Sequence, residues 1–483
     1  LKKGCFKKEA AFFAVHFVFS RKFFDFPRKA YANRRCFPAV CGVIMTDSAA
    51  VFRRQMIVEE ACVMERKTYM EKLRSAERYV VAFVRWGLLA ALTGLVGGGV
   101  GTLFHKAVEY ATAVRIAHSW ILYLLPVGGL VIVGLYHLFK TPENFGTNQI
   151  LDAIRSEKKV PLALAPLIFI STVITHLCGG SAGREGAALQ LGGTIGSQIG
   201  GLFRLDEKDQ HILIMCGMSA VFAALFGTPL TATFFAMEVI SIGVIYYAGL
   251  VPCIISSLTA YGVSVFFGAE PVRFSLTHVP SPTIGSIFQV IGLSALCALL
   301  SIVFCLAMHK THHYLQKWIP NGYLRAFCGG AAIILLTLLL GTNAYNGAGM
   351  DVITAAIGGS ARPEAFALKI LFTAVTIGAG FKGGEIVPTF FIGSTFGCVA
   401  GSLLGLDPGF AAAVGLIALF CGVVNSPIAS IILSIELFGA QGLILFAIAC
   451  GVSFMLSGYY GLYSSQKIMY SKLRAEYINI HAK

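Results

Sequence analysis

The chain has 483 residues, 56% of them hydrophobic and 13% charged, with a formal net charge of +14. Soluble domains carry roughly a quarter charged residues, so the composition excludes a soluble globular protein and indicates an integral membrane protein. Apolar runs near the ~20 residues that cross a bilayer recur, and the 53 glycines suggest closely packed helices or helices that break inside the membrane.

Residues 1–78 hold 17 Lys and Arg against 8 Asp and Glu. A basic segment just before the first long apolar run predicts a cytoplasmic N-terminus. Nucleic-acid binding is the alternative for such a segment; with a membrane domain behind it, no nucleic-acid partner is expected. Lys2 and Lys3 before the apolar residues 10–20 weakly resemble a signal peptide, but no small-residue cleavage site follows and Arg21-Lys22 comes early. The segment is expected to pack poorly, with Met64 or Met70 as candidate true starts.

A first membrane repeat is expected over residues 79–268. It holds a long helix at 80–111 and a span at 120–139. Next come the turn Phe145-Gly146-Thr147-Asn148-Gln149-Ile150 and an apolar run at 161–178. Helices at 187–203, 209–225, 229–240 and 250–267 complete it. A polar linker, 269–286, leads to a second repeat at 287–458, with helices at 287–314, 323–340, 364–377, 389–404, 411–423, 427–437 and 443–456. The remainder, 459–483, is polar and expected to be a C-terminal helix. The 13 cysteines lie mostly in apolar runs and form no zinc-spaced set, so they read as small buried hydrophobes.

The two repeats share a pattern. Gly192, Thr194, Gly196 and Gly200 recur as Gly393, Thr395, Gly397 and Gly401, and Leu205-Asp206 recurs as Leu406-Asp407. Pro229 precedes Glu238 by the same interval as Pro427 precedes Glu436. Repeated halves whose broken helices meet near the bilayer midplane are a transporter architecture, and an odd number of spans per half makes the halves inverted.

Three glycine-containing loops open helices: around Thr147, around Glu185 and around Ile386. Moving a small anion into hydrocarbon costs on the order of tens of kcal/mol. Helix N-termini and neutral donors lower that barrier without the tight binding a fixed cation brings. In the stretch Gly179-Gly180-Ser181-Ala182-Gly183-Arg184-Glu185-Gly186-Ala187, the Glu185 carboxylate is placed to occupy an anion site itself and leave it on protonation. A surface ion pair with Arg184 is the plainer alternative. Glu238 and Glu436 are expected to cap backbone amides of a neighbouring loop, and His176 to be a packed, hydrogen-bonded histidine. Lys382 reads as a partner for Glu385 or an entrance cation. Tyr459, Tyr460 and Tyr463 read as an interfacial belt, or as phenols reaching the anion.

At these loops the sequence resembles the CLC family of chloride channels and anion/proton antiporters. The family's Gly-Lys/Arg-Glu-Gly-Pro motif corresponds to Gly183-Arg184-Glu185-Gly186-Ala187. Its Gly-Gly-x-Phe-x-Pro corresponds to Gly383-Gly384-Glu385-Ile386-Val387-Pro388, and its C-terminal Leu-Tyr to Leu462-Tyr463. The resemblance implies an all-α membrane fold of about 17 tilted and broken helices in two inverted repeats. It also implies a homodimer in the plasma membrane with one anion pathway per subunit.

By position, Glu185 matches the gating glutamate. The anion site would involve Gly146, Thr147, Gly183, Arg184, Gly186, Glu385, Ile386 and Tyr463, with Glu238, Glu436 and Pro388 in support. The departures are Thr147 for the central serine, Val239 where chloride antiporters carry an inner proton-transfer glutamate, and Ala187 for proline. With Phe381-Lys382-Gly383-Gly384-Glu385 they look like the bacterial fluoride-exporting branch.

The expected function is transport of chloride or another halide coupled to protons through Glu185. Fluoride/proton antiport and a passive chloride channel are the alternatives within the family. No cofactor is expected, and no regulatory C-terminal domain. A sodium-coupled symporter with inverted repeats is the rival from another class. An intramembrane enzyme is not expected, since no HExxH or Ser/His nucleophile setting is found.

Overall fold

A computed structural model describes residues 48–143, 145–156 and 160–483; the signal-peptide-like stretch lies outside them. The chain divides into two units, Leu1–Tyr79 and Val80–Lys483. In the first, the described residues are helical from Ser48. The second holds the membrane part.

Among the described residues sixteen α-helices follow one another, eight in each half. The first half comprises α1 (Ser48–Ala117), α2 (Leu125–Leu138), α3 (Thr147–Ala153) and α4 (Leu164–Leu177), then α5 (Glu185–Leu202), α6 (Glu207–Phe226), α7 (Pro229–Glu238) and α8 (Leu250–Phe266). The second comprises α9 (Ile284–Trp318), α10 (Gly322–Leu340), α11 (Met350–Ile357) and α12 (Ala365–Gly378), then α13 (Ile386–Leu403), α14 (Pro408–Val424), α15 (Pro427–Phe438) and α16 (Leu443–Leu456). The halves agree in length at the helices that flank the two central loops: α4 and α12 have 14 residues each, α5 and α13 have 18 each. Among the described residues seven helical stretches are long and apolar enough to cross a bilayer; α4, α7, α12 and α15 are shorter.

The repeated motifs are the joints of this design. Asp206 and Asp407 are N-caps, their carboxylates accepting the amides of Asp209 (2.8 Å) and Phe410 (2.9 Å) at the starts of α6 and α14. The repeated glycines bring two backbones together. A Cβ on Gly192 or Gly196 would strike the carbonyls of Gly217 or Leu213 on α6, and one on Gly393 or Gly397 the carbonyls of Gly415 or Ala411 on α14. Gly196→Val is therefore expected to destabilise the protein by at least about 2 kcal/mol through overpacking, seen as a lower thermal midpoint in detergent. Gly201→Val, facing open space, is the control that should not move.

Three boundaries differ from the sequence reading. The first helix starts at Ser48, upstream of residue 79. The linker is shorter, because Thr283 and Ser286 form a capping box that starts α9 at Ile284.

The third difference is a correction: residues 459–483 are not a helix. They form a hairpin of β2 (Lys467–Tyr470) and β3 (Tyr477–His481), with β2 also pairing in parallel with β1 (Ser241–Ile242), which follows α7. β3 (Tyr-Ile-Asn-Ile-His) alternates at a period of two, a strand pattern, and Ile242, Ile468 and Ala482 share a small apolar core.

Candidate functional site

The loops before α5 and α13 meet back to back. Gly183 and Gly384 exchange both backbone hydrogen bonds, N–H to O at 2.7 Å in each direction. Only glycine fits here: a Cβ on Gly384 would press on the amide nitrogens of Glu185 (2.9 Å) and Gly186. From this junction α5 and α13 run away with N-caps Arg184 and Glu385, neither of which makes a side-chain cap. The first amides of both helices thus lack intrahelical acceptors and carry the positive end of a helix dipole. Pro388, third residue of α13, supplies no amide; its Cδ walls the junction beside Gly183.

Two other helix starts in this region are closed, and each closes the other. Glu238 at the end of α7 accepts the amides of Ile428 (3.1 Å) and Ala429 (3.0 Å) at the start of α15. Glu436 on α15 accepts those of Leu230 (3.0 Å) and Thr231 (2.9 Å) at the start of α7. With these positive ends neutralised, α5 and α13 are the open ones of the four. Glu238→Ala, which leaves two amides unsatisfied, is expected to lower stability by about 1–2 kcal/mol, measured as a reduced thermal midpoint. Val239 beside it is fully buried in the apolar core.

Glu185 is fully buried. Its Oε2 accepts the Arg184 amide at 2.9 Å, and its Oε1, 3.6 Å from Arg184 Nε, has no hydrogen-bond partner. The carboxyl group therefore sits at the start of α5, on the Arg184 amide. The pair with Arg184 is not a surface ion pair: it forms the floor of a cavity of about 770 Å³ that opens beside the end of α1 and is also lined by His105, Glu109, Arg115 and His176. His176 is buried, its Nε2 3.2 Å from the Gly183 carbonyl, which it holds as donor.

The other expected site residues distribute as follows. The Gly146 amide is taken by Gln149 Oε1 at 2.6 Å, so it is not presented to a ligand. Thr147 donates to the Gly186 carbonyl (3.3 Å) and accepts from Gln190 (3.3 Å), which places it against α5. Tyr463 is no belt residue: its ring is buried, its hydroxyl unpartnered, and it lies within electrostatic range of Glu385 and Glu185. Lys382 donates to the Glu143 carbonyl and lies over the Tyr136 ring, 4.6 Å from its centroid.

The Glu385 side chain, expected as a partner for Lys382 and as the bearer of an amide, ends in a buried Oε2 without a hydrogen-bond partner, next to Gly186.

Comparison with known proteins adds to this geometry. A family model described as "Voltage gated chloride channel" matches residues 128–458. A protein of Pseudomonas syringae pv. tomato named "Chloride/fluoride channel protein" is 36% identical over 412 residues, covering 83% of this chain and 91% of that one. A crystal structure of a CLC-type fluoride/proton antiporter superposes with a TM-score of 0.77 at 34% identity, over 80% of this chain and 98% of that one. An "H(+)/Cl(-) exchange transporter" of Vibrio campbellii is 26% identical over 394 residues, 74% of this chain and 82% of that one.

Proposed function

Since the chain belongs to the voltage-gated chloride channel family of multi-pass CLC anion transporters, we propose that it exchanges a small halide, fluoride in preference to chloride, for protons. The observation that carries the reading is the buried Glu185 carboxylate bound to an amide at the open start of α5. A carboxylate in that position competes with the transported ion. When it takes a proton it loses its charge, gives up the amide, and leaves the start of α5 to the halide. When the halide departs, the carboxylate returns and releases the proton. One group thus alternates between two ligands, and the proton and the anion move in opposite directions.

Several features support fluoride. The relative at 36% and the solved structure at 34% identity are named for fluoride among their ions. Position 239 carries a buried valine in place of a second carboxylate, and the carboxylate of Glu238 beside it is taken by the amides of Ile428 and Ala429, whereas Glu385 stands close to Glu185 with an unpartnered oxygen. By the same family likeness we place the protein in the plasma membrane as a homodimer with one pathway per subunit, and by the basic residues 1–78 we place its N-terminus in the cytoplasm. The cavity over Glu185 then faces outward.

The test is flux in proteoliposomes with fluoride, chloride and pH followed together. A downhill fluoride gradient is expected to drive protons uphill, with chloride carried more slowly. Rapid anion flux without proton movement makes the protein a passive channel, and faster chloride than fluoride overturns the ion choice. Tyr463→Ala is further expected to weaken halide binding by about tenfold, the worth of one hydrogen bond to a charged group, read by calorimetry. An unchanged isotherm removes Tyr463 from the site.

A further inference from the structure

Tyr463 has a free hydroxyl on a segment that is otherwise tied down on both sides. Behind it, Leu462 N donates to the Val423 carbonyl (2.9 Å), and Gln466 Nε2 to that of Val424 (2.9 Å), at the end of α14. The His309 ring contacts the Leu462 carbonyl at 3.1 Å. In front, Ser465 is held by α3, the short helix that Thr147 begins. Its amide donates to Asn148 Oδ1 (3.1 Å) and its hydroxyl to Asp152 Oδ2 (3.0 Å). Arg155 donates to both partners, to Asp152 Oδ1 at 2.8 Å and to the Ser465 carbonyl.

These bonds join parts of the chain more than 300 positions apart. They connect the residue after Thr147 with the second residue after Tyr463. Neither Thr147 nor Tyr463 is among the residues that line the cavity over Glu185; Thr147 packs on α5 at Gly186 and Gln190, and the Tyr463 hydroxyl is buried without a partner.

The geometry points to Asn148, Asp152, Arg155 and Ser465 as a clasp that fixes Tyr463 relative to Thr147 and thereby sets the barrier on the side of the site away from the cavity. These are positioning residues: they act through Tyr463 and touch no ion. An offset of one residue at the Thr147 end and two at the Tyr463 end leaves little slack, and Arg155 closes the ring by bonding both Asp152 and Ser465. Loss of the clasp frees α3 and the Tyr463 segment to separate, and the barrier falls. This role rests on the proposed transport, though not on its coupling to protons.

The experiment measures unidirectional anion efflux from proteoliposomes with the membrane potential and pH clamped by ionophores, using whichever of fluoride and chloride the wild type carries. Asp152→Ala and Ser465→Ala are each expected to raise the efflux rate about fivefold, as for removal of a coupled pair. Ser465→Thr, which keeps the hydroxyl, should stay near the wild-type rate. In a Tyr463→Ala background the same two substitutions should add nothing, because the barrier they position is gone.

Equal effects in both backgrounds, or an unchanged or slower rate in the single variants, overturns the clasp. Should Asp152→Ala fail to fold, Ser465→Ala decides alone. A wild type that carries anions but moves no protons overturns antiport and leaves this comparison decisive.

Discussion

Glu185→Gln should abolish proton movement while anion flux continues. Glutamine keeps the volume of the side chain and can still accept the Arg184 amide through its Oε1, so the junction of Gly183 and Gly384 has no reason to shift. What it cannot do is bind and release a proton or present a full charge to the start of α5. If Glu185 is the carrier, proton flux falls by at least about 100-fold, corresponding to a lost stabilisation of ~2.7 kcal/mol or more. Glu185→Ala should do the same and also leave the floor of the cavity open, so its anion flux is expected to exceed that of the glutamine variant. The readout is simultaneous pH and halide recording. Proton coupling that survives in both variants assigns the role to the neighbouring carboxylate Glu385, whose Oε2 is buried and unpartnered.

Much of this arrangement was legible in the chain because it follows from local chemistry stated twice. The recurring Leu-Asp pairs are N-caps, the recurring glycines are backbone contacts between adjacent helices, and the Pro-to-Glu interval spans one short helix. Each of these features repeats with its spacing intact, so the halves could be aligned without coordinates.

What stayed hidden depended on contacts distant in sequence. Nothing near Glu238 announces that its acceptors serve α15, nor near Glu436 that its own serve α7; the reciprocity needs the pseudo-symmetric packing. Glu385 was legible as an amide donor and as a partner for Lys382, but the place of its free oxygen beside Gly186 needs the meeting of the two loops. The C-terminal segment was read as helical from its polarity, whereas its two-residue alternation and the distant strand Ser241–Ile242 decide for a sheet. Ser465 carried no motif at all, and its bonds to α3 appear only when the two ends of the fold are brought together.

Gly384→Ala is expected to have the largest effect on the anion itself. The added methyl would stand 2.9 Å from the Glu185 amide nitrogen and closer still to that of Gly186, on the donors that the proposed site turns toward the ion. Real Cβ contacts of that kind do not persist, and the neighbour here is backbone at the start of an 18-residue helix, which cannot yield as a flexible side chain would. Either the junction with Gly183 opens or the methyl covers the amides. In both cases the halide loses two charge-assisted hydrogen bonds, each worth about 1.5–3 kcal/mol. Transport should then drop by at least about 100-fold for fluoride and chloride alike. The alternative, that Glu185 and fixed cations such as Arg184 define the site without the backbone, makes a different forecast. It leaves anion flux in Gly384→Ala near the wild-type rate in protein that still elutes as a single species, and it makes Arg184→Gln the damaging change instead. Comparing the two variants in one flux assay separates a site built on amides from one built on charge, because only the first requires that position 384 carry no side chain.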